Sequence, residues 1–466
     1  MTFLTIPGLM TTLGQTAAGG TQLIEAAAFI LIFLAIVMWI GNSMAKTMDK
    51  DWLPRLIVWG FFAKMAGSLA RFWMVTILYG SGDSFDYHDA GHLLSTTWRD
   101  FAVPVSTAGG EGTAFTEVVT GFVYALYTPT FLGAFLIWAF LAFLGQLLFL
   151  AAFRHWFGEE KRRLYTLAVL FLPSLVFWPS SLGKDALMVF FLGLAAYGSS
   201  RLLRTYKLTS VVPIGIGLIL AAGIRPHVAG ALAISLVLAV ILGKPLPKLR
   251  GSPMRPVVLI AALAGAVVVL GAFSTTFEVG ISDSRQAQDL GGFLEDVSDR
   301  TSTGGSQIEG AAVSSPAQLP GAVITVMFRP LLYEGANAQM IMSALEGTAL
   351  LVFTVWKLPQ MWQNRGLLRR KAYMTMCFLY TGGFIIGFSA ILNLGILARQ
   401  RVQVLPMFLA FLVAMAWPEP EESDKTKNDR PSRPGLTAAA PSYRSRLEET
   451  ATGEDEQHEN TDGQQP

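Results

Sequence analysis

Three carboxylates, Asp83, Asp86 and Asp89, stand with His88 in the run Gly82-Asp83-Ser84-Phe85-Asp86-Tyr87-His88-Asp89. Their i, i+3, i+6 spacing puts them on roughly one face if the run is helical. A carboxylate there has two chemical uses. It can take a proton from a hydroxyl as a general base, or it can hold a divalent cation such as Mg2+ or Mn2+ through oxygen. It also has a structural use, because Asp83 and Ser84 precede a helix expected over Phe85 to Thr97 and would cap it. The two roles are compatible, since a first helical turn is also a good place for an active carboxylate. Asp83, Asp86 and Asp89, with His88 beside them, are all candidates for such a role.

Cations recur in four other short polar segments. Lys184 and Asp185 end the turn Phe177 to Asp185, and Arg225 and His227 lie in Gly223 to His227. Arg329 and Glu334 lie in Phe328 to Glu334, and Arg399 and Arg401 in Asn393 to Arg401. A ring of Lys184, Arg225, Arg329, Arg399 and Arg401 suits an anionic ligand, because guanidinium matches phosphate oxygens two by two. The five cations also exceed what Asp185 and Glu334 could neutralise. The structural alternative is snorkelling or local ion pairing, Lys184 with Asp185 for example.

The elements that must position these residues are membrane helices. The chain of 466 residues is 52% hydrophobic and 15% charged, where a soluble domain carries nearer a quarter charged residues. The deficit comes from apolar stretches of about 16–25 residues, long enough to cross a bilayer core. Such a backbone must satisfy its own hydrogen bonds, and the alternation a barrel requires is missing, so the expected fold is an all-α, polytopic transmembrane bundle of about eleven helices. The spans fall near 22–42, 54–79, 129–153, 164–178, 186–200, 209–223, 228–243, 256–273, 338–356, 372–391 and 403–417. The first lacks a basic region before it and is long for a signal-peptide core, so it reads as a retained helix.

Basic residues sort the connections. Lys46, Lys50, Arg55, Arg154, Lys161 to Arg163, Arg201, Arg204, Lys207, Lys244, Lys248, Arg250, Arg255, Lys357, Arg365 and Arg369 to Lys371 all fall in one alternating set. The positive-inside rule makes that set cytoplasmic, placing the N-terminal segment 1–21 outside and the tail 418–466 inside. The transmembrane domain then covers 22–417, with outer loops 80–128 and 274–337. Every polar cluster above lies on the outer face of a cell (inner or plasma) membrane, where Lys and Arg near a membrane boundary are costly and usually serve a cavity or a partner. Loop 80–128 holds two surface helices, the acidic one and an apolar one from Phe115 to Tyr127, which is too short to span. Residues 274–327 allow an amphipathic helix, then a flexible stretch or a lid. The tail has too little apolar surface to fold alone. Lys64 and Arg71 sit seven apart in the second span and point into the bundle without an assigned role. Cys377 reads as a buried core residue, and a single cysteine rules out an internal disulfide and any cysteine-based metal site.

The acidic residue just after a transmembrane helix (Gly82-Asp83-Ser84 through Ala90), followed by surface helices running from Gly112 through Tyr127 into further spans, resembles the GT-C membrane glycosyltransferases. The Phe177 to Asp185 turn and the segment Ala398-Arg399-Gln400-Arg401 with Pro406 more loosely resemble multi-span polysaccharide-assembly proteins, including the Wzy-type polymerases. The GT-C family places its acidic loop after the first helix, and here it follows the second. The resemblance implies a sugar donor carried on a polyprenyl phosphate or pyrophosphate, a glycan or lipid acceptor, Asp83 as the first candidate for catalytic base or metal-linked group and Asp86 as the second, and the cations as the phosphate grip. A transporter or flippase for an anionic or lipid-linked solute, and a non-catalytic envelope-assembly scaffold, remain the alternatives. There is no Gly-x-x-x-x-Gly-Lys-Ser/Thr loop for ATP and no His-Glu-x-x-His, and nothing points to nucleic acid.

Overall fold

The computed structural model describes residues 6–46, 51–104, 111–249, 251–276, 315–335, 337–391 and 393–417. The tail and most of the segment expected as a lid lie outside these. The described residues are helical throughout their regular structure: α1 Ile6–Ala45, α2 Leu53–Trp73, α3 Asp83–Arg99, α4 Glu111–Leu126, α5 Phe131–Arg154, α6 Glu159–Phe171, α7 Pro173–Phe177, α8 Lys184–Thr205, α9 Val211–Ile224, α10 Pro226–Leu242, α11 Met254–Thr276, α12 Leu319–Phe328, α13 Ala338–Gln363, α14 Gly366–Arg370, α15 Ala372–Phe388, α16 Leu394–Gln400 and α17 Leu405–Ala416. Helix α1 starts well before the first apolar span.

Among the described residues, five helices are long and apolar enough to cross a membrane: Gly20–Ala45, Leu53–Tyr79, Phe131–Arg154, Lys184–Thr205 and Ala338–Gln363. Two bent pairs, α6 with α7 and α16 with α17, raise the number to seven if each is one span. The segments expected at 209–223, 228–243 and 372–391 fall on shorter apolar helices, and 256–273 falls on α11, of which Met254–Gly265 counts as a shorter apolar stretch. The exposure pattern is that of a membrane protein. Trp39 is 70% exposed and Trp356 66% exposed, each beside other bare apolar side chains such as Ile36 and Val352. Such faces are stable against lipid and unfavourable against water.

The centre of the bundle is α5 against α8, both buried along most of their length. Gly145 and Gly193 set their distance: a Cβ on Gly193 would lie 2.5 Å from the Gly145 carbonyl oxygen. Backbones that touch in this way gain dispersion contacts where no hydrophobic effect drives helices together.

The break between α6 and α7 explains two buried ionisable residues. Pro173 cannot continue a helix, Leu172 turns extended, and the pair bends by 54°. The freed backbone groups are then met by side chains. The Ser174 N–H donates to Glu346 Oε2 at 2.6 Å, Lys64 Nζ donates to the Leu175 carbonyl at 2.8 Å, and Gln146 Nε2 donates to the Val169 carbonyl at 2.7 Å. Irregular backbone survives at membrane depth only when it is satisfied in this way.

Candidate functional site

Helix α2 ends in a single π-turn, Met74–Tyr79, and Gly80 closes it in the left-handed region at φ +64. Gly82 then enters α3 at φ +137, a conformation a side chain would strain. Asp83 therefore begins the helix. The cap is Gly82, with no side-chain cap bond. Ser84 Oγ donates instead to the Leu182 carbonyl at 2.7 Å, pinning the start of α3 to the turn before α8. The Asp83 carboxylate is not spent on capping, and its side chain is 63% exposed.

Behind it, the 4% exposed Asp185 side chain is the hub. Arg225, at the joint of α9 and α10, donates from Nη1 and Nη2 to Asp185 Oδ1 at 3.1 and 3.0 Å. Arg399, from α16, donates its Nε–H to Asp185 Oδ2. The other end of the Arg399 guanidinium reaches outward, and its Nη1 lies 3.8 Å from Asp83 Oδ2. A single arginine thus links a buried carboxylate to an exposed one. Lys184, beside Asp185, donates from Nζ to Thr113 Oγ1 of α4 at 2.7 Å and lies in the field of Arg225, Asp83 and Arg399. Arg71 stands under the site with its guanidinium over the rings of Phe177 and Trp178, 5.1 and 5.3 Å away, and feels Arg399 and Asp185. Tyr87, one turn after Asp83 and buried, also bonds to Thr113. Burial and the Asp83 charge push its phenol up to about 12, so it stays a neutral donor.

Other expected residues sit elsewhere. Arg329 pairs within its own turn to Glu334, whose second oxygen accepts the Leu331 N–H at 2.7 Å. Burial alone would raise the Glu334 carboxyl, but the Arg329 and Leu331 bonds hold it below its ordinary value. Arg401 is fully buried and donates from Nη1 to the carbonyls of Met327 and Arg329 at 2.8 and 3.1 Å, so it fastens the loop rather than facing a ligand. His227 is half-buried, its ring 5.5 Å from that of Phe388. Asp86 and Asp89 are exposed and form no ion pair among the described residues. His88 turns from the cluster to α4, its Nδ1 hydrogen-bonded to the Tyr124 hydroxyl at 2.6 Å. Lys184, Arg225 and Arg399 converge, and Arg71 takes a place in the cluster that the sequence left unassigned. The Asp83 to Tyr87 spacing was a readable signal for Tyr87. Thr113 carried none.

Four cations thus face two carboxylates, one of them exposed. The arrangement offers an anion a set of fixed donors beside a solvent-accessible proton acceptor, a combination suited to a reaction in which a hydroxyl loses a proton while an oxyanion departs. Among the described residues, no three His, Cys, Asp or Glu side chains gather as a metal-holding group. Scans against protein-family models, curated proteins and solved structures found no match to this chain.

Proposed function

We propose that the chain is a membrane glycosyltransferase that moves a sugar from a polyprenyl-phosphate-linked donor to a glycan or lipid acceptor on the extracytoplasmic face, in cell-envelope or polysaccharide assembly. The observation that carries this reading is the exposed Asp83 carboxylate 3.8 Å from Arg399, which is itself anchored on buried Asp185. In the reaction, the acceptor oxygen attacks the anomeric carbon and its proton passes to Asp83. The bond from that carbon to the phosphate oxygen breaks, and the polyprenyl phosphate leaves with the charge, which Arg399, Lys184 and Arg225 stabilise. Substrate approaching Asp83 also meets the half-buried Thr113, a neutral partner for sugar hydroxyls, while Tyr87 is buried. The reading takes the bundle as GT-C-like with eleven crossings, the helices α9, α10, α11 and α15 included. In it, α3 and α4 lie along the outer membrane surface and the tail is in the cytoplasm.

Transport is the weaker reading. It calls for ionisable groups or broken helices free to serve a solute near the midplane. Lys64 and Glu346 stand beside a broken helix, but both are engaged in satisfying its backbone. A Wzy-type polymerase would use the same site and differ in product length.

The test is complementation of a deletion strain with wild type and Asp83→Asn at matched membrane abundance, reading surface glycan and lipid-linked precursors by mass spectrometry. Loss of glycan with precursor accumulation in Asp83→Asn is expected. Wild-type glycan in that variant would sink the proposal.

A further inference from the structure

The run His88-Asp89-Ala90-Gly91-His92 sets two imidazoles one helical turn apart on α3. This i, i+4 spacing lets two histidines of one helix share a metal ion. The two Nε2 atoms lie 3.2 Å apart, with the rings nearly perpendicular at 88°. Two nitrogens bound tetrahedrally to zinc, each at about 2.0–2.1 Å, would be about 3.3 Å apart. The pair therefore stands at ligand spacing.

The surroundings support the same reading. A metal-bound histidine ordinarily has its second nitrogen held by a hydrogen bond, which fixes tautomer and ring orientation. His88 Nδ1 is so held by the Tyr124 hydroxyl at 2.6 Å, and Tyr124 is fully buried. The close contact of α3 with α4 brings that hydroxyl into place: a Cβ on Gly91 would meet the Tyr124 ring at 3.1 Å. Phe131 walls one side, its ring 5.0 Å from that of His88. The exposed Asp89 carboxylate lies within electrostatic reach of His88 and favours a cation there.

We propose that His88 and His92 form a two-imidazole site for a divalent late transition metal, zinc foremost, with Tyr124 as the orienting group. Imidazole selects such ions over Mg2+ and Mn2+, which prefer oxygen. No third His, Cys, Asp or Glu among the described residues completes the set. The remaining positions are therefore open to water or an oxygen ligand, and affinity is below that of a closed four-ligand site. The site is independent of transfer at Asp83, and its test reads metal binding alone.

Tag-free full-length protein in detergent is titrated with Zn2+ against a chromogenic chelator. Wild type is expected to bind one equivalent more than His88→Ala or His92→Ala, and excess Mg2+ leaves that equivalent in place. Tyr124→Phe is expected to keep the stoichiometry and weaken binding about 10–100-fold. His92 is exposed, so its alanine variant retains the fold, which monodisperse elution verifies. Equal zinc stoichiometry in wild type and His92→Ala overturns the site and leaves a direct hydrogen bond between the two rings.

Discussion

At the scale of single residues, the site is governed by the difference between Asp83 and Asp185. Both are acids in the first turn of a helix, yet one is exposed and the other buried beneath two guanidinium groups. Replacing exposed Asp83 by Asn leaves packing untouched and removes the proposed proton acceptor, so the proposed sugar transfer is expected to fall by about 10²-fold or more with protein abundance unchanged. Replacing Asp185 by Ala has a different outcome. It leaves Arg225 and Arg399 without their shared counter-charge, and an uncompensated buried charge costs about 3–5 kcal/mol. That variant should melt well below wild type in detergent, whereas Asp83→Asn should melt with it. Equal melting of Asp185→Ala and wild type would mean that the arginines have other support.

At the scale of elements, contact between helices decides what reaches the site. Lys64→Met should remove the shorter of two donor contacts to the Leu175 carbonyl at the α6–α7 break and leave it only Gln146 Nε2 at 3.4 Å, costing about 1 kcal/mol, read as a lowered melting temperature. The pairing of α3 with α4 carries a pH dependence. Burial, then the neighbouring His92, brings His88 down to about 4, while its unfolded value is near 6.5. Between these values the unfolded chain binds a proton that the folded chain does not. Acidification from about pH 6.5 towards 4 therefore removes stability, and the contribution is fully present only above the unfolded value. In chelator-treated protein, the melting temperature should fall across that window less steeply for His88→Asn than for wild type. Identical slopes would discount His88 as the titrating group.

At the scale of the whole molecule, the proposed orientation has a direct chemical test. The single native cysteine, Cys377, is fully buried and offers no background reactivity. Asp86→Cys on α3 and Arg365→Cys after α13 replace exposed residues on opposite sides of the proposed topology. An impermeant maleimide added to intact cells should modify the first and spare the second until the membrane is opened. The reverse pattern would invert the topology and place the Asp83 site in the cytoplasm.

The amino-acid pattern by itself determined that the chain is helical and membrane-embedded, because hydrocarbon leaves a polypeptide few ways to satisfy its backbone, and runs such as Phe131 to Phe153 declare this residue by residue. It also picked out Asp83, Lys184, Asp185, Arg225 and Arg399, because ionisable groups are rare beside such runs and each stands out alone. Partnership was not legible. Arg399 and Arg401 are two apart in the same turn, yet one faces Asp185 and Asp83 while the other is buried under the carbonyls of Met327 and Arg329. Asp83 and Ser84 both looked like caps, and only the path through Gly80 and Gly82 released the acid and sent the serine to Leu182. Tertiary structure decided these matters because a side chain's role depends on which distant backbone lies within about 3 Å of its polar atoms, and spacing along one chain holds no record of that distance.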